Sequence, residues 1–280
     1  MTVVNIVGTC EQGAELAAAQ PQVRWRAAAN LAQVRTTAAI QALGRALFDS
    51  EPFVRWEAAR ALGEIARNAH EPAVAVVAGQ VVLEAAASLE AGAREAAADS
   101  VASWGAKGPL EAVLLLASDA EGAVRAAAVR ALGLAGSAAS AVVSAALKRA
   151  LTDAEPEVRR MAANAIAWCR DESAASALEA SLRDASPLVR AAALRALSRL
   201  STGASEDRAL SLLQDPDPGV RAEAIRFLRQ HGTASCTDAL AALARDAAVV
   251  GDASIGEMAT EARLALVRRF VPWPVRVVKR

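Results

Sequence analysis

The chain has 280 residues, enough for a sizeable core, and its 31 basic side chains match 31 acidic ones, so the formal net charge at pH 7 is zero. That balance removes any global bias toward polyanions and leaves basic surface to be found locally. Hydrophobic residues make up 54% of the chain with Ala dominant, and the three cysteines (Cys10, Cys169, Cys236) stand far apart with no CxxC, which signals neither a disulfide framework nor a zinc site.

Residues 1–19 open on MTVVNIVGTCEQ, a short apolar run with no basic stretch before it. This argues against a secretory signal and predicts a cytoplasmic protein whose first residues form an N-terminal cap. No stretch approaches the 18 or so consecutive apolar residues of a membrane span, because Arg, Glu or Asp breaks the Ala-rich segments every few positions.

From residue 20 to 270 one pattern recurs, Val-Arg-x-x-Ala-x-x-x-Leu. It begins at Val23, Val54, Val124, Val158, Val189 and Val220, with degenerate copies at Ala93 and Met258. Ala holds the fifth position of every copy (Ala27, Ala58, Ala97, Ala128, Ala162, Ala193, Ala224, Ala262), and positions four apart line one face of a helix. A small residue at the centre of that face predicts a close helix crossing. These are the B helices.

Segments such as ESAASALEASLRDA and TASCTDALAALARDA lie between them, with apolar residues at i, i+3, i+4 and i+7 behind a polar start, and predict A helices. Pro52, Pro156, Pro187 and Pro218 mark B-helix starts, since the first turn is where proline is tolerated. Repeats of this kind bury their core only by stacking, which predicts one all-α, elongated and curved α-α superhelix, a single domain over 1–280 with no internal boundary. The tail 271–280, VPWPVRVVKR, has two prolines and is expected to be extended.

A second regularity runs along the chain. Asp49, Asp119, Asp153, Asp184 and Asp215 precede Arg55, Arg125, Arg159, Arg190 and Arg221 by six residues each. This arrangement resembles the HEAT repeat, specifically the short bacterial type named after phycobilisome lyases. The resemblance implies that Asp and Arg form a hydrogen-bonded ladder between neighbouring repeats. Ala18 and Ser88 stand where the first and third copies would carry Asp, and Ala259 where the eighth would carry Arg, so interruptions are expected at the ends and in the long interval between Val54 and Ala93.

Little in the chain suggests catalysis. Only two histidines, His70 and His231, are present, and no phosphate-loop, dinucleotide or nucleophile-elbow motif appears. HEAT-type hydroxylases hold two irons through four His-Glu pairs, whereas only His70-Glu71 occurs here. No metal, cofactor or small-molecule substrate is therefore expected.

If offsets 0, 4 and 8 of each B helix face inward, offsets 2, 6, 9 and 10 face out and line the concave groove. That face includes Trp25, Trp56, Arg60, Arg130, Arg160, Asn164, Trp168, Arg195, Arg199, Arg226 and Arg229, eight arginines in all against three acids, with no acid from Arg130 onward. Trp104, at offset 11, belongs to the core. Arg and Trp dominate interaction hot spots. The reading is a non-catalytic scaffold or adaptor that holds an acidic segment of another protein in an Arg/Trp groove. The competing view is that these arginines pair with acids of adjacent repeats. Two further alternatives come from HEAT-type families, a nucleic-acid binder of the DNA-glycosylase class and a phycobilin-lyase-like chromophore chaperone.

Overall fold

A computed structural model describes residues 13–135, 140–200 and 206–270. Most of the expected N-terminal cap and all of the 271–280 tail lie outside these residues. Contacts cluster into two compact units, Met1–Cys169 and Arg170–Arg280.

In the first unit the B helices are α1 (Pro21–Leu31), α3 (Pro52–Arg67), α5 (Ala91–Trp104), α7 (Gly122–Ala135) and α9 (Pro156–Cys169). The A helices between them are α2 (Thr37–Ala46), α4 (Pro72–Ala86), α6 (Leu110–Leu116) and α8 (Ala141–Ala150). Each B helix packs on the next B helix and on the A helix before it. The second unit repeats the scheme with B helices α11 (Pro187–Leu200), α13 (Pro218–His231) and α15 (Ile255–Phe270) and A helices α10 (Ala175–Ser181), α12 (Glu206–Leu212) and α14 (Thr237–Ala242).

The expected inward positions form the core. Val54, Ala58 and Leu62 are sealed from solvent, as are Val158, Ala162, Ile166, Val189, Ala193 and Leu197, and Trp104 is buried as predicted. The four prolines open their B helices as read from sequence. The A helices are shorter than their apolar pattern suggested. Glu172–Ala174 and Ala234–Cys236 are tight 3-10 turns ahead of α10 and α14, the first supported by Asp171 accepting the Ser173 N–H. A short antiparallel pairing of Val249–Val250 with Ala253–Ser254, turned by Gly251 at φ +66°, separates α14 from α15 and has no counterpart in the sequence reading.

The Asp–Arg ladder is present, but its partners are offset by one repeat from the six-residue pairs. Arg190 Nε and Nη2 donate to the two carboxylate oxygens of Asp215, at 2.8 and 2.7 Å, while Nη1 donates to the main-chain carbonyl of Asp184 at 2.9 Å. The same fork joins Arg24 to Asp49, Arg94 to Asp119 and Arg125 to Asp153, and Arg221 Nε reaches Asp246. Each Asp also accepts the N–H two residues on, closing the turn that leads into its own B helix or, at Asp246, into the short strand pair ahead of α15. Arg55 and Arg159 likewise donate to the carbonyls of Asp49 and Asp153.

This offset changes where the ladder breaks. The residue six before an arginine supplies only a carbonyl, so Ala18 and Ser88 serve Arg24 and Arg94 without loss. The missing carboxylate at Ser88 instead affects the preceding arginine, Arg55, whose side chain among the described residues donates only to the Asp49 and Ser50 carbonyls. Asp246, which the repeat register did not single out, completes the rung of Arg221.

Because the carboxylate facing Arg190 belongs to Asp215, with the two side chains 12% and 5% exposed, Asp215→Ala leaves a buried guanidinium without its counter-ion. It is expected to cost about 3 kcal/mol in chemical denaturation, the scale for breaking a buried pair. A loss below about 1 kcal/mol would show that the rung behaves as a solvated surface pair.

The ladder also sets a pH limit. Hydrogen bonds from Arg94 and Arg125 hold the Asp119 and Asp153 carboxyls below the usual carboxylate range. As pH falls, the unfolded chain therefore takes up these protons before the folded one does, so the ladder's stabilisation is full above the usual carboxylate pKa of about 4 and is lost below it. Denaturation midpoints measured down to about pH 3 are expected to drop steeply in that range, and less steeply in Asp119→Asn.

Candidate functional site

In the first unit the predicted tryptophans do line the outward B-helix face, with Trp25 41%, Trp56 51% and Trp168 39% exposed. Asn164 lies half-buried on α9, one turn before Trp168. The arginines of this face are not free charges. Arg60 is clasped by Glu57 and Glu64, Arg130 by Asp99 from α5, and Arg160 by Glu157. Counted with those partners, Glu95 and the exposed Arg26 at the same offset as Glu57, the face holds four arginines against five carboxylates and is close to balance.

Burial pushes the Asp99 carboxyl up to about 6, opposed by Arg130 and reinforced by Glu95. Between pH 6 and the usual carboxylate range the folded protein retains a proton here that the unfolded chain releases, so acidification through this window adds stability, opposite in sign to the ladder.

The second unit differs. Arg195 and Arg226 share Glu223, at 3.1 and 2.8 Å, and Arg229 lies 4.0 Å from Glu261. Arg199 is exposed, and among the described residues no carboxylate lies within 4.0 Å of it. With Arg268 the face carries five arginines against two carboxylates. Leu194, Arg195, Ser198, Arg199, Glu223, Arg226, Phe227 and Gln230 line a pocket of about 340 Å³ between α11 and α13. The ring of His231 packs on Phe227 with centroids 4.9 Å apart, and its Nε2 lies 3.0 Å from Ser198 Oγ.

The expected run of arginines without a carboxylate from residue 130 onward is thus corrected by Glu157, Glu223 and Glu261. Glu57, Glu223 and Glu261 sit at offset 3 of their repeats, one helical turn before offset 6, and Glu157 sits one turn before Arg160. The i, i+3 spacing that pairs Glu57 with Arg60, Glu157 with Arg160 and Glu223 with Arg226 was available in the sequence, whereas Glu261 meets Arg229 only across repeats. Counting only outward offsets left them out.

Two side chains capable of chemistry, His231 and Cys236, are held by neighbours. The Cys236 thiol is buried, donates to Glu206 Oε1 at 3.1 Å and is pushed up to about 11, first by burial and then by that carboxylate, which keeps it protonated near neutral pH. Among the described residues no three His, Cys, Asp or Glu side chains are grouped to hold a metal ion, and no helix is long and apolar enough to cross a membrane.

The family profile described as HEAT repeats matches residues 13–108, 110–198 and 180–259. The chain belongs to the HEAT-repeat family. No curated protein sequence matches it. Among solved structures it is similar to YibA of Escherichia coli, with 19% identity over 95% of this chain and 96% of that one and a TM-score of 0.66. It is also similar to Kap95p in a complex with RanGDP (15% identity, TM-score 0.68) and to importin beta (16%, TM-score 0.65). In both, 95% of this chain matches 41% of the other, so it spans well under half of their length. At these identities the likeness is one of fold, an α-solenoid of HEAT repeats, and that scaffold is compatible with binding another protein.

The HEAT packing also explains how Trp168 reaches the surface. A Cβ at Gly133 of α7 would lie 2.7 Å from Ala165 Cα and 2.9 Å from the Trp168 ring, so glycine is what lets α9 approach and the indole lie across α7. Gly133→Ala gains about 1 kcal/mol of helix propensity, but overpacking costs about 1–3 kcal/mol. A net loss on the order of 1 kcal/mol is expected by thermal denaturation, with a shift in Trp168 fluorescence.

Proposed function

We propose that this protein is a non-catalytic scaffold, acting in the cytoplasm, whose second unit holds an acidic segment of a partner protein against α11 and α13. The observation that carries this reading is the pocket where Arg195, Arg199 and Arg226 face one carboxylate, Glu223. Arg195 and Arg226 are about half exposed, so their guanidinium groups remain open on one side to a ligand carboxylate while Glu223 fixes their position. Shared use of Glu223 leaves two positive charges uncompensated in the pocket, and a planar guanidinium matches a carboxylate with two parallel hydrogen bonds. Kap95p, whose fold this chain resembles, binds RanGDP, and its example supports protein over small-molecule recognition.

A labelled oligoglutamate peptide titrated at about 50 and 200 mM salt, beside duplex DNA under the same conditions, tests the reading. Arg199→Glu reverses one charge without breaking an ion pair. It is expected to weaken peptide binding by about tenfold or more at low salt while changing folding stability by no more than about 0.5 kcal/mol, as surface substitutions do. Peptide binding unaffected by Arg199→Glu would remove the pocket from the function. DNA binding that survives the higher salt would put a nucleic acid in place of the acidic protein segment.

A further inference from the structure

The first unit contains a pocket of opposite character, about 320 Å³, between α3 and α5. It lies at the interrupted rung. With Ser88 in place of a carboxylate, Arg55 keeps only its carbonyl contacts, and its guanidinium rests on Gly92, where a Cβ would come within 2.8 Å of it. Arg55 therefore closes one end of the pocket. The α3 wall presents two aromatic rings, Phe53 at 43% and Trp56 at 51% exposure. The α5 wall presents Glu95 and, one turn further on, Asp99.

We propose that this pocket receives an arginine side chain of a partner protein, its guanidinium stacked on Trp56 and hydrogen-bonded to Glu95. Glu95 is half-buried, and among the described residues it makes no hydrogen bond or ion pair, so its carboxylate is available to a ligand. An aromatic face beside a carboxylate is the arrangement that attracts an organic cation, and a planar guanidinium uses both at once where an ammonium uses them less well. The charged groups lining the pocket are Arg55 against Glu95 and Asp99, a net deficit of positive charge.

Asp99 bears the same mark. Arg130 of α7 pairs with it from outside the pocket, Arg60 of α3 is turned to Glu57 and Glu64, and Arg55 lies over Gly92. With Glu95 nearby and burial around it, the Asp99 carboxyl still stands at about 6. A second cation in the pocket would compensate it. The inference does not depend on the pocket between α11 and α13, which lies in the other unit.

The test uses the full chain and acetyl-Gly-Arg-Gly-amide, with the Lys and Glu tripeptides for comparison. The indole N–H resonance of Trp56, identified by its loss in Trp56→Phe, is followed by NMR. The arginine peptide is expected to shift it saturably, the lysine peptide more weakly and the glutamate peptide not at all. Glu95→Gln, which breaks no internal pair, is expected to reduce the arginine affinity by at least about fivefold, and lowering the pH from 7 to 5 is expected to weaken it as Asp99 takes up a proton. No saturable shift, equal or tighter binding of the glutamate peptide, or an affinity unchanged in Glu95→Gln or at the lower pH would overturn the proposal.

Discussion

Every regular junction in this protein depends on one fork of hydrogen bonds, from the guanidinium of one repeat to the carboxylate that opens the next. Arg24, Arg94, Arg125, Arg190 and Arg221 each spend one nitrogen on the carbonyls of their own A-to-B turn. Their remaining donors reach an aspartate of the following repeat. That aspartate simultaneously closes its own turn by accepting a backbone N–H. One charged pair thus fixes the spacing between repeats and the direction in which each B helix starts. The pair is buried enough to be costly if broken.

Beneath the ladder the helices hold together by approaching closely. The alanines at the centre of each B helix are almost fully excluded from solvent, and Gly133 allows one crossing that even a methyl group would obstruct. Small residues bury little area apiece, but they bring the backbones close enough for the buried Leu, Ile and Val beside them to pack across each crossing. The same economy leaves the few large aromatics available for other roles. Trp104 seals the core, while Trp25, Trp56 and Trp168 remain on the surface.

The two units present B-helix faces of different charge, which the overall neutrality of the chain conceals. Neighbouring acids convert the apparent line of arginines into a set of ion pairs, and what remains after pairing is a nearly balanced, aromatic face in 13–169 and a basic one in 170–270. Both pockets arise where pairing is incomplete: one carboxylate serves two guanidinium groups at Glu223, and one rung lacks its carboxylate at Ser88. Unpaired charge at a half-open crossing is what a partner can complete.

The repeat unit, the all-helical class, the proline starts, the alanine seam and the burial of Trp104 were all determined by the sequence alone. Each rests on spacing within a single helix or turn, and local geometry is the same wherever the helix lies. The ladder residues were legible too, because they recur. Which Asp meets which Arg was not, since partners 25 or 28 residues apart are chosen only when one repeat stacks on the next. The charge of the outward B-helix faces was likewise decided by tertiary structure. A count of outward positions treats each arginine as free, whereas Glu223 reaching Arg195 from the adjacent repeat, and Asp99 reaching Arg130, are neutralisations that exist only once two B helices lie side by side. Electrostatic free energy depends on distance in space, and a repeating sequence states that distance only within its own unit.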